Sequence, residues 1–205
     1  MYNRNDFQKN NPALLKEFIQ TFPLAFVYAS SESETEKQFE TSLLPILQHS
    51  ERKLVTHLAR RNPMVSVLKK NAGKITLNFF GPQRYISPQI YQNEGNVPTW
   101  NYSFVEIKGI AAVKETNEDL DQILKESVDF FEARNGTSWL YNLTDQQKLP
   151  MLQAISGLEI QIESIENKFK LNQNRLTEDQ EAVRRFLNHS QDPRDQEMLY
   201  WMQKT

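Results

Sequence analysis

Prolines, aromatic residues and amides crowd into one stretch of the sequence, residues 79 to 102. Three prolines interrupt this stretch, and it ends in Trp100, Asn101 and Tyr102. Proline fixes the backbone φ angle and has no N–H donor, so it interrupts strands and shapes rigid loops. Aromatic faces and amide edges beside such loops suit a flat ligand with a polar edge. A strand with one aromatic residue in the core and one at a subunit interface would give the same pattern.

A second cluster combines a histidine, two arginines and the start of a helix. His57 is followed by Arg60 and Arg61, and Asn62 then stands where an N-cap residue precedes a proline at the first helical position. Arginine binds phosphate in a bidentate manner, and a helix N-terminus adds N–H donors, so the segment is a candidate anion site. The alternative is a hydrogen-bonded structural histidine beside two solvated arginines.

A third cluster is a dense set of hydrogen-bond donors that follows the last predicted strand. Its members are Lys170, Asn172, Gln173, Asn174 and Arg175. These side chains suit a phosphate group or a carbonyl edge, whereas a solvated turn is the alternative. No isolated pair of carboxylates stands in an apolar setting, so acid–base hydrolysis has no specific support.

The composition limits the classes of function. Net charge is −2, from 24 lysine and arginine residues against 26 aspartate and glutamate residues, so an overall basic surface for nucleic acid is not expected. The absence of cysteine excludes disulfides, zinc–thiolate sites and thiol nucleophiles within the chain. The polar start and the lack of any run of about 18 apolar residues predict a cytoplasmic protein without a membrane span.

Hydrophobic periodicity predicts a chain of strands joined by hairpins, with helices inserted between them. Helices are expected at 12–20, 63–70, 116–134, 144–155 and 177–187, the last one capped by Thr177 and Gln180. Strands are expected at 22–28, 39–47, 53–58, 74–80, 100–113 and 157–165, with an exposed turn at 30–37 and a proline-rich loop from about residue 82. This order indicates an α+β protein built on an antiparallel β-barrel.

Taken together, the motifs resemble the PaiB family, the FMN-binding negative transcriptional regulators. The matching motifs are THLARRNP at 56–63, FGP at 80–82, YISP at 85–88, VPTWNY at 97–102, GLEI at 157–160 and KFKLNQNR at 168–175. The resemblance implies an FMN-binding split β-barrel, related to pyridoxamine-phosphate oxidase folds. It also implies a homodimer with the flavin in a groove at the subunit interface. We expect a flavin domain at 1–175 and a C-terminal helical extension at 176–205.

The resemblance also implies which residues bind the cofactor FMN. They are His57, Arg60, Arg61, Asn62, Tyr85, Ser87, Trp100, Asn101, Tyr102, Lys170, Asn172, Gln173, Asn174 and Arg175. The arginines and Lys170 would contact the phosphate, and Trp100 to Tyr102 would flank the ring. The sequence departs from the family pattern at Leu43, where histidine is common, and at Asn172, which replaces a serine.

Three functional hypotheses follow. The first is a PaiB-like regulator that binds FMN and acts on transcription indirectly, because the mixed charges of the C-terminal helices do not favour direct DNA reading. The second is a flavin-dependent oxidoreductase acting on a small molecule, in which the cofactor performs the redox step. The third is an interaction dimer with a degenerate flavin site, which the departures at Leu43 and Asn172 would explain.

Overall fold

The fold is given by a computed structural model that describes residues 2–32 and 37–205. In these residues the α-helices are α1 (Pro12–Thr21), α2 (Pro63–Lys70), α3 (Asn117–Asn135), α4 (Asp145–Ala154), α5 (Thr177–Asn188) and α6 (Pro193–Lys204). The strands are β1 (Leu24–Glu32), β2 (Lys37–Pro45), β3 (Leu47–Ser50), β4 (Lys53–Ala59), β5 (Lys74–Ile86), β6 (Thr99–Lys114) and β7 (Ile155–Lys170). Short 3-10 helices lie at Asn5–Phe7 and Pro88–Ile90.

The strands form a single seven-stranded sheet in the order β2-β1-β5-β6-β7-β4-β3. β1 pairs antiparallel with β2 from Leu24 opposite Pro45 onwards, and β4 pairs antiparallel with β7 from Lys53 opposite Gln161. The predicted hairpin of the first two strands and the antiparallel sheet are therefore present. Its expected turn at 30–37 falls largely on residues 33–36, which lie outside the described residues.

Helix starts follow the local sequence closely. Asn11 Oδ1 accepts a hydrogen bond from Leu14 N at 3.2 Å at the start of α1, and Asn62 Oδ1 accepts one from Met64 N at 3.0 Å at the start of α2. Thr116 caps α3 through Asp119 N at 3.2 Å, and Gly136 ends that helix at φ 69°. These caps satisfy N–H groups that have no partner inside the helix, which is why they could be predicted.

Several expected strand boundaries are wrong, and the largest difference besides β5 is β7, which spans Ile155–Lys170 instead of 157–165. β5 does not end at residue 80 but continues through Pro82 to Ile86. β1 pairs with β5 at Thr76–Asn78, so the N–H group that Pro82 lacks is not needed for a hydrogen bond to β1. β2 ends at Pro45 and β3 is a separate strand, so one strand over 39–47 does not form. The predicted start of α5 at Thr177 is confirmed, but the predicted cap by Thr177 and Gln180 is wrong, since the N-cap residue is Leu176 and it makes no side-chain cap hydrogen bond.

The chain divides into two compact units. The terminal unit comprises 1–18, 80–106 and 166–205, and the central unit comprises 19–79 and 107–165. Phe18, Phe169 and Trp201 are fully buried in the terminal unit, where the Phe18 ring centroid lies 5.3 Å from that of Phe169 and 5.1 Å from that of Trp201. Burial of three large rings and their edge-to-face contacts fixes α1 and α6 to the end of β7.

The central unit has a core between its strands and three helices. The buried aliphatic residues of α2 are Met64, Val65, Val67 and Leu68. Leu120 and Leu124 of α3 pack with Leu152 of α4, and Ile123 packs with Leu47 and Val55 of the sheet. This packing orients the helix ends that carry the predicted site residues of this unit.

Candidate functional site

In the terminal unit, the polar cluster at 170–175 holds the loop between β5 and β6 in place through Tyr91 and Asn96. Asn172 has a left-handed backbone at φ 71°, is buried, and accepts a hydrogen bond from Tyr91 Oη at 3.4 Å through its Oδ1. Arg175 donates through Nη1 to Asn96 Oδ1 at 2.7 Å, and its guanidinium carbon lies 5.2 Å from the Tyr91 ring centroid. These side chains therefore have a structural task in addition to any contact with a ligand.

Asp179 completes the attachment of this loop. Its Oδ1 accepts hydrogen bonds from the backbone N–H groups of Gln92 at 2.8 Å and Asn93 at 3.1 Å, and its Oδ2 accepts one from Asn96 Nδ2 at 3.0 Å. Desolvation opposes ionisation, yet these donors prevail and lower the pKa of Asp179. The sequence did not reveal this role of Asp179. An acidic residue in the first turn of a helix is common, and such a residue is often a solvated carboxylate.

Gln173 and Ser87 also serve the local structure. Gln173 Oε1 accepts from Leu171 N at 2.7 Å, and its Nε2 donates to Asp6 O at 3.1 Å and to Phe169 O. Ser87 caps the short 3-10 helix through a hydrogen bond from Gln89 N at 3.3 Å. Asn174 is exposed and is the most solvent-accessible amide of the cluster.

Three cations of the terminal unit converge near the end of β7. The pKa of Lys170 is lowered by burial and, to a smaller extent, by the positive charges of Lys168 and Arg175. Lys170 Nζ donates to Thr99 Oγ1, and Lys168 Nζ lies 5.7 Å from the ring centroid of Tyr102. Because like charges at close range repel, an anion bound among Lys168, Lys170 and Arg175 would relieve this repulsion. We call these three residues the cation cluster.

Aromatic residues line a cleft of the terminal unit that is formed by β5, β6 and α6. Trp100 is 53% exposed and Tyr85 is 48% exposed, and their ring centroids lie 6.0 Å apart in an edge-on arrangement. The cleft has a volume of about 280 Å³, and its lining residues are Gln83, Arg84, Tyr85, Trp100, Arg194 and Asp195. One predicted ring-flanking residue, Trp100, therefore lies beside Tyr85, another predicted FMN-binding residue, at an open pocket that we call the β5–α6 cleft.

Asn101 lies on the opposite face of β6 from Trp100 and Tyr102. It is 0% exposed, and neither its Oδ1 nor its Nδ2 has a hydrogen-bond partner among the described residues. The neighbouring buried Ser103 Oγ is likewise unpartnered within the described part of the chain. Alternation of side chains along a strand explains why the residue between two accessible aromatic rings is buried.

The second predicted cluster belongs to the central unit. Arg60 donates through Nε to Ile155 O at 3.0 Å and through Nη2 to Leu152 O at 3.2 Å, so it caps the C-terminal end of α4. Asn62 caps α2 and also donates to Ser42 Oγ at 3.0 Å. Burial lowers the pKa of His57, while Arg61 is exposed at the start of the helix. Arg60 and Arg61 are both exposed, but the guanidinium of Arg60 is engaged by the carbonyls at the end of α4.

Residues 2–32 and 37–205 contain neither a metal-binding cluster nor a membrane-spanning helix. No cluster of three or more histidine, aspartate or glutamate side chains there is arranged to hold a metal ion. None of the helices in the same residues combines the length and the apolar character needed to cross a membrane.

Comparison with known proteins places this fold in a flavoprotein class. Residues 1–164 match the sequence model of a family described as "Putative FMN-binding domain". The chain belongs to this FMN-binding domain family. It is 31% identical over 148 residues to the protease synthase and sporulation protein PAI 2 of Bacillus subtilis (strain 168), covering 72% of this chain and 70% of that protein. The predicted membership of the PaiB family is confirmed.

Solved structures show the same fold at low sequence identity. The flavocytochrome Anf3 from Azotobacter vinelandii superposes with a TM-score of 0.58 at 12% identity, covering 82% of this chain and 72% of that one. The FAD and heme binding protein from Mycobacterium smegmatis gives a TM-score of 0.56 at 15% identity, with 80% and 73% covered. The predicted α+β class, an antiparallel FMN-binding split barrel with peripheral helices, is confirmed.

Proposed function

We propose that this protein is a PaiB-like FMN-binding homodimer that lowers transcription indirectly, through the ligand that it binds. The observation that carries the proposal is the match of residues 1–164 to the FMN-binding family, with a cation cluster and an aromatic cleft in the terminal unit. We also propose that the flavin domain ends near residue 175 and that 176–205 form an extension. Contact of Trp201 with Phe18 at 5.1 Å supports packing of this extension on that domain.

The residues present suit the two chemically different ends of FMN. Lys168, Lys170 and Arg175 offer positive charge to a phosphate group. Trp100 and Tyr85 offer aromatic surface to a flat ring. FMN would supply reversible electron transfer when bound, while these side chains bind and orient it. A phosphate at the cation cluster would also stabilise the protonated form of Lys170, whose pKa is otherwise lowered.

The proposed homodimer is supported by exposed aromatic residues on β5 and β6. Phe80 is 58% exposed, and its ring centroid lies 5.1 Å from that of Phe104 on the neighbouring strand. Large apolar side chains that remain accessible in a soluble domain mark interaction surfaces more often than chance. Aromatic residues are also enriched at the buried centre of homodimer interfaces.

Indirect action on transcription is supported by the charge pattern of the C-terminal helices. Arg185 and Glu181 form an i,i+4 pair on α5, and Arg194 pairs with Asp192 at the start of α6. Basic residues that are paired with carboxylates in this way offer little net charge to a phosphate backbone. The proposal therefore places the regulatory signal in the bound ligand rather than in DNA contacts.

Two measurements together test the proposal. The transcript profile of a deletion strain is compared after complementation with the wild-type gene or with Lys170→Gln, and DNA binding of the pure protein is followed by fluorescence anisotropy at several salt concentrations. We expect transcripts to rise in the deletion strain, and wild type but not Lys170→Gln to restore them. Full restoration by Lys170→Gln would contradict ligand-dependent regulation. Sequence-selective, salt-sensitive DNA binding would contradict indirect action.

A further inference from the structure

The β5–α6 cleft contains a buried carboxylate with one unused oxygen. Asp195 is 1% exposed, and its Oδ1 lies 3.2 Å from Arg84 Nε. Its Oδ2 has no hydrogen-bond partner among the described residues. Buried polar atoms are nearly always hydrogen-bonded, because an unpaired one has lost its contacts with water without any replacement. An unpartnered carboxylate oxygen at a cleft wall therefore suits a ligand that donates a hydrogen bond.

The start of α6 holds this carboxylate in a fixed position. Asp192 caps the helix by accepting a hydrogen bond from Arg194 N at 3.0 Å, and Pro193 occupies the first turn. Trp201, one of the large buried side chains, anchors the other end of the same helix in the core. The helix start therefore holds Asp195 at the cleft, where its carboxylate oxygens can accept hydrogen bonds from a ligand.

The size and the walls of the cleft indicate what kind of ligand group would fit. A volume of about 280 Å³ lies just below the range of roughly 300–1,000 Å³ for complete ligand pockets. It is enough for one ring system and not for a whole nucleotide. Trp100 and Tyr85 provide aromatic surface. Arg84 and Arg194 at the cleft carry N–H groups that suit carbonyl oxygens.

We propose that the β5–α6 cleft binds the pyrimidine edge of the flavin ring. Asp195 Oδ2 would accept the N3–H group, and the carbonyls on either side would face Arg84 and Arg194. An N–H flanked by two carbonyls needs one acceptor and two donors, and the cleft residues Asp195, Arg84 and Arg194 carry such groups. This inference rests on the proposed function and deepens it, because it assigns α6, which lies outside the family match at 1–164, to ligand binding.

The test is a double-mutant cycle in which one group is changed on the protein, the Asp195 carboxylate, and one on the ligand, the flavin N3–H group. FMN and N3-methyl-FMN, which lacks the N3–H donor, are titrated into cofactor-stripped wild type and into Asp195→Asn. A hydrogen bond to a charged acceptor predicts that wild type prefers FMN over N3-methyl-FMN by about 10- to 100-fold. In Asp195→Asn this preference should fall to about 3-fold or less.

Asp192→Asn is the matched control, because it removes the same charge from the same helix start while asparagine keeps the capping ability. It should show the wild-type preference for FMN, and near-UV circular dichroism of each variant confirms native packing. Equal preference in wild type and Asp195→Asn, with FMN bound by both, would overturn the inference and leave the proposed function standing. Failure of wild type to bind FMN at all would instead overturn the proposed function, and the inference with it.

Discussion

Arg175 and Asn96 are joined by a 2.7 Å hydrogen bond from Nη1 to Oδ1, and this bond connects two motifs that are far apart in the sequence. Asn96 also donates to Asp179 Oδ2 at 3.0 Å, so one amide links the polar cluster after β7 to the first turn of α5. The proline-rich loop thus has a defined position before any ligand binds. Preorganisation of this kind reduces the entropy lost on ligand binding.

Asp179→Ala tests whether this carboxylate holds the loop. The substitution leaves the N–H groups of Gln92 and Asn93 without their acceptor, and Asn96 Nδ2 loses Asp179 but keeps its hydrogen bond to Asn93 O. We expect the thermal midpoint to fall by about 2–6 °C. Amide hydrogen exchange in 91–96 should accelerate. Glu178→Ala, an exposed carboxylate in the same helical turn, is the control. If both variants melt and exchange alike, the anchoring role is wrong.

Lys170→Gln tests the cation cluster as the phosphate site. Removing one charge from a cluster of three should weaken FMN binding by about 10-fold, because a charge-assisted hydrogen bond is lost. Riboflavin, which lacks the phosphate, should bind the variant and wild type nearly equally. Isothermal titration of both ligands measures the difference. Lys16→Gln, an exposed lysine of α1, should bind both ligands as wild type does. An equal loss for FMN and riboflavin would rule out a phosphate contact.

Phe80→Asp tests the proposed dimer surface. Placing a charge beside Phe104 on an apolar interface should convert dimers to monomers at micromolar concentration, as measured by light scattering after size-exclusion chromatography. Val97→Asp is a control of comparable exposure, since Val97 is 63% exposed in the loop before β6. We expect that control to remain dimeric. A dimeric Phe80→Asp, or a monomeric wild type, would contradict this assignment.

Tyr141 should titrate unusually late. Burial, followed by the nearby Asp121 carboxylate, raises the pKa of Tyr141 to about 12. In the unfolded chain the phenol ionises near 10, so its contribution to stability is complete below pH 10 and is lost as pH rises towards 12. The difference in phenolate absorbance between wild type and Tyr141→Phe isolates this group among 7 tyrosines. A difference midpoint near 10 would contradict the raised pKa.

Local sequence patterns predicted most of the elements but not how their side chains are used. The caps at Asn62 and Thr116 could be predicted because a cap depends on a few consecutive residues. The continuation of β5 through Pro82 could not be predicted, since a strand accepts a proline only where no neighbouring strand needs its N–H group. Which strands pair there is not visible in the local sequence. The burial of Asp195 beside Arg84 could not be predicted from the sequence either, because the two residues are about a hundred positions apart.

The departure from the family motif at Asn172 has a physical explanation in this chain. Its backbone is left-handed at φ 71°, a conformation that asparagine adopts more readily than serine, and its Oδ1 receives the Tyr91 hydroxyl. The replacement therefore suits the local structure and does not by itself indicate a degenerate site. Leu43, the second departure, is 63% exposed on β2 opposite Phe26, and nothing in the structure explains that replacement.

The most direct test of FMN binding is to titrate the purified, cofactor-stripped protein with FMN. Flavin fluorescence and visible absorbance report the binding. We expect saturable binding with a dissociation constant of about 1 μM or tighter, which corresponds to roughly −8 kcal/mol. We also expect a perturbed flavin spectrum from contact with Trp100 and Tyr85. If no saturable binding is found at FMN concentrations up to about 100-fold above that value, this chain is not an FMN-binding protein.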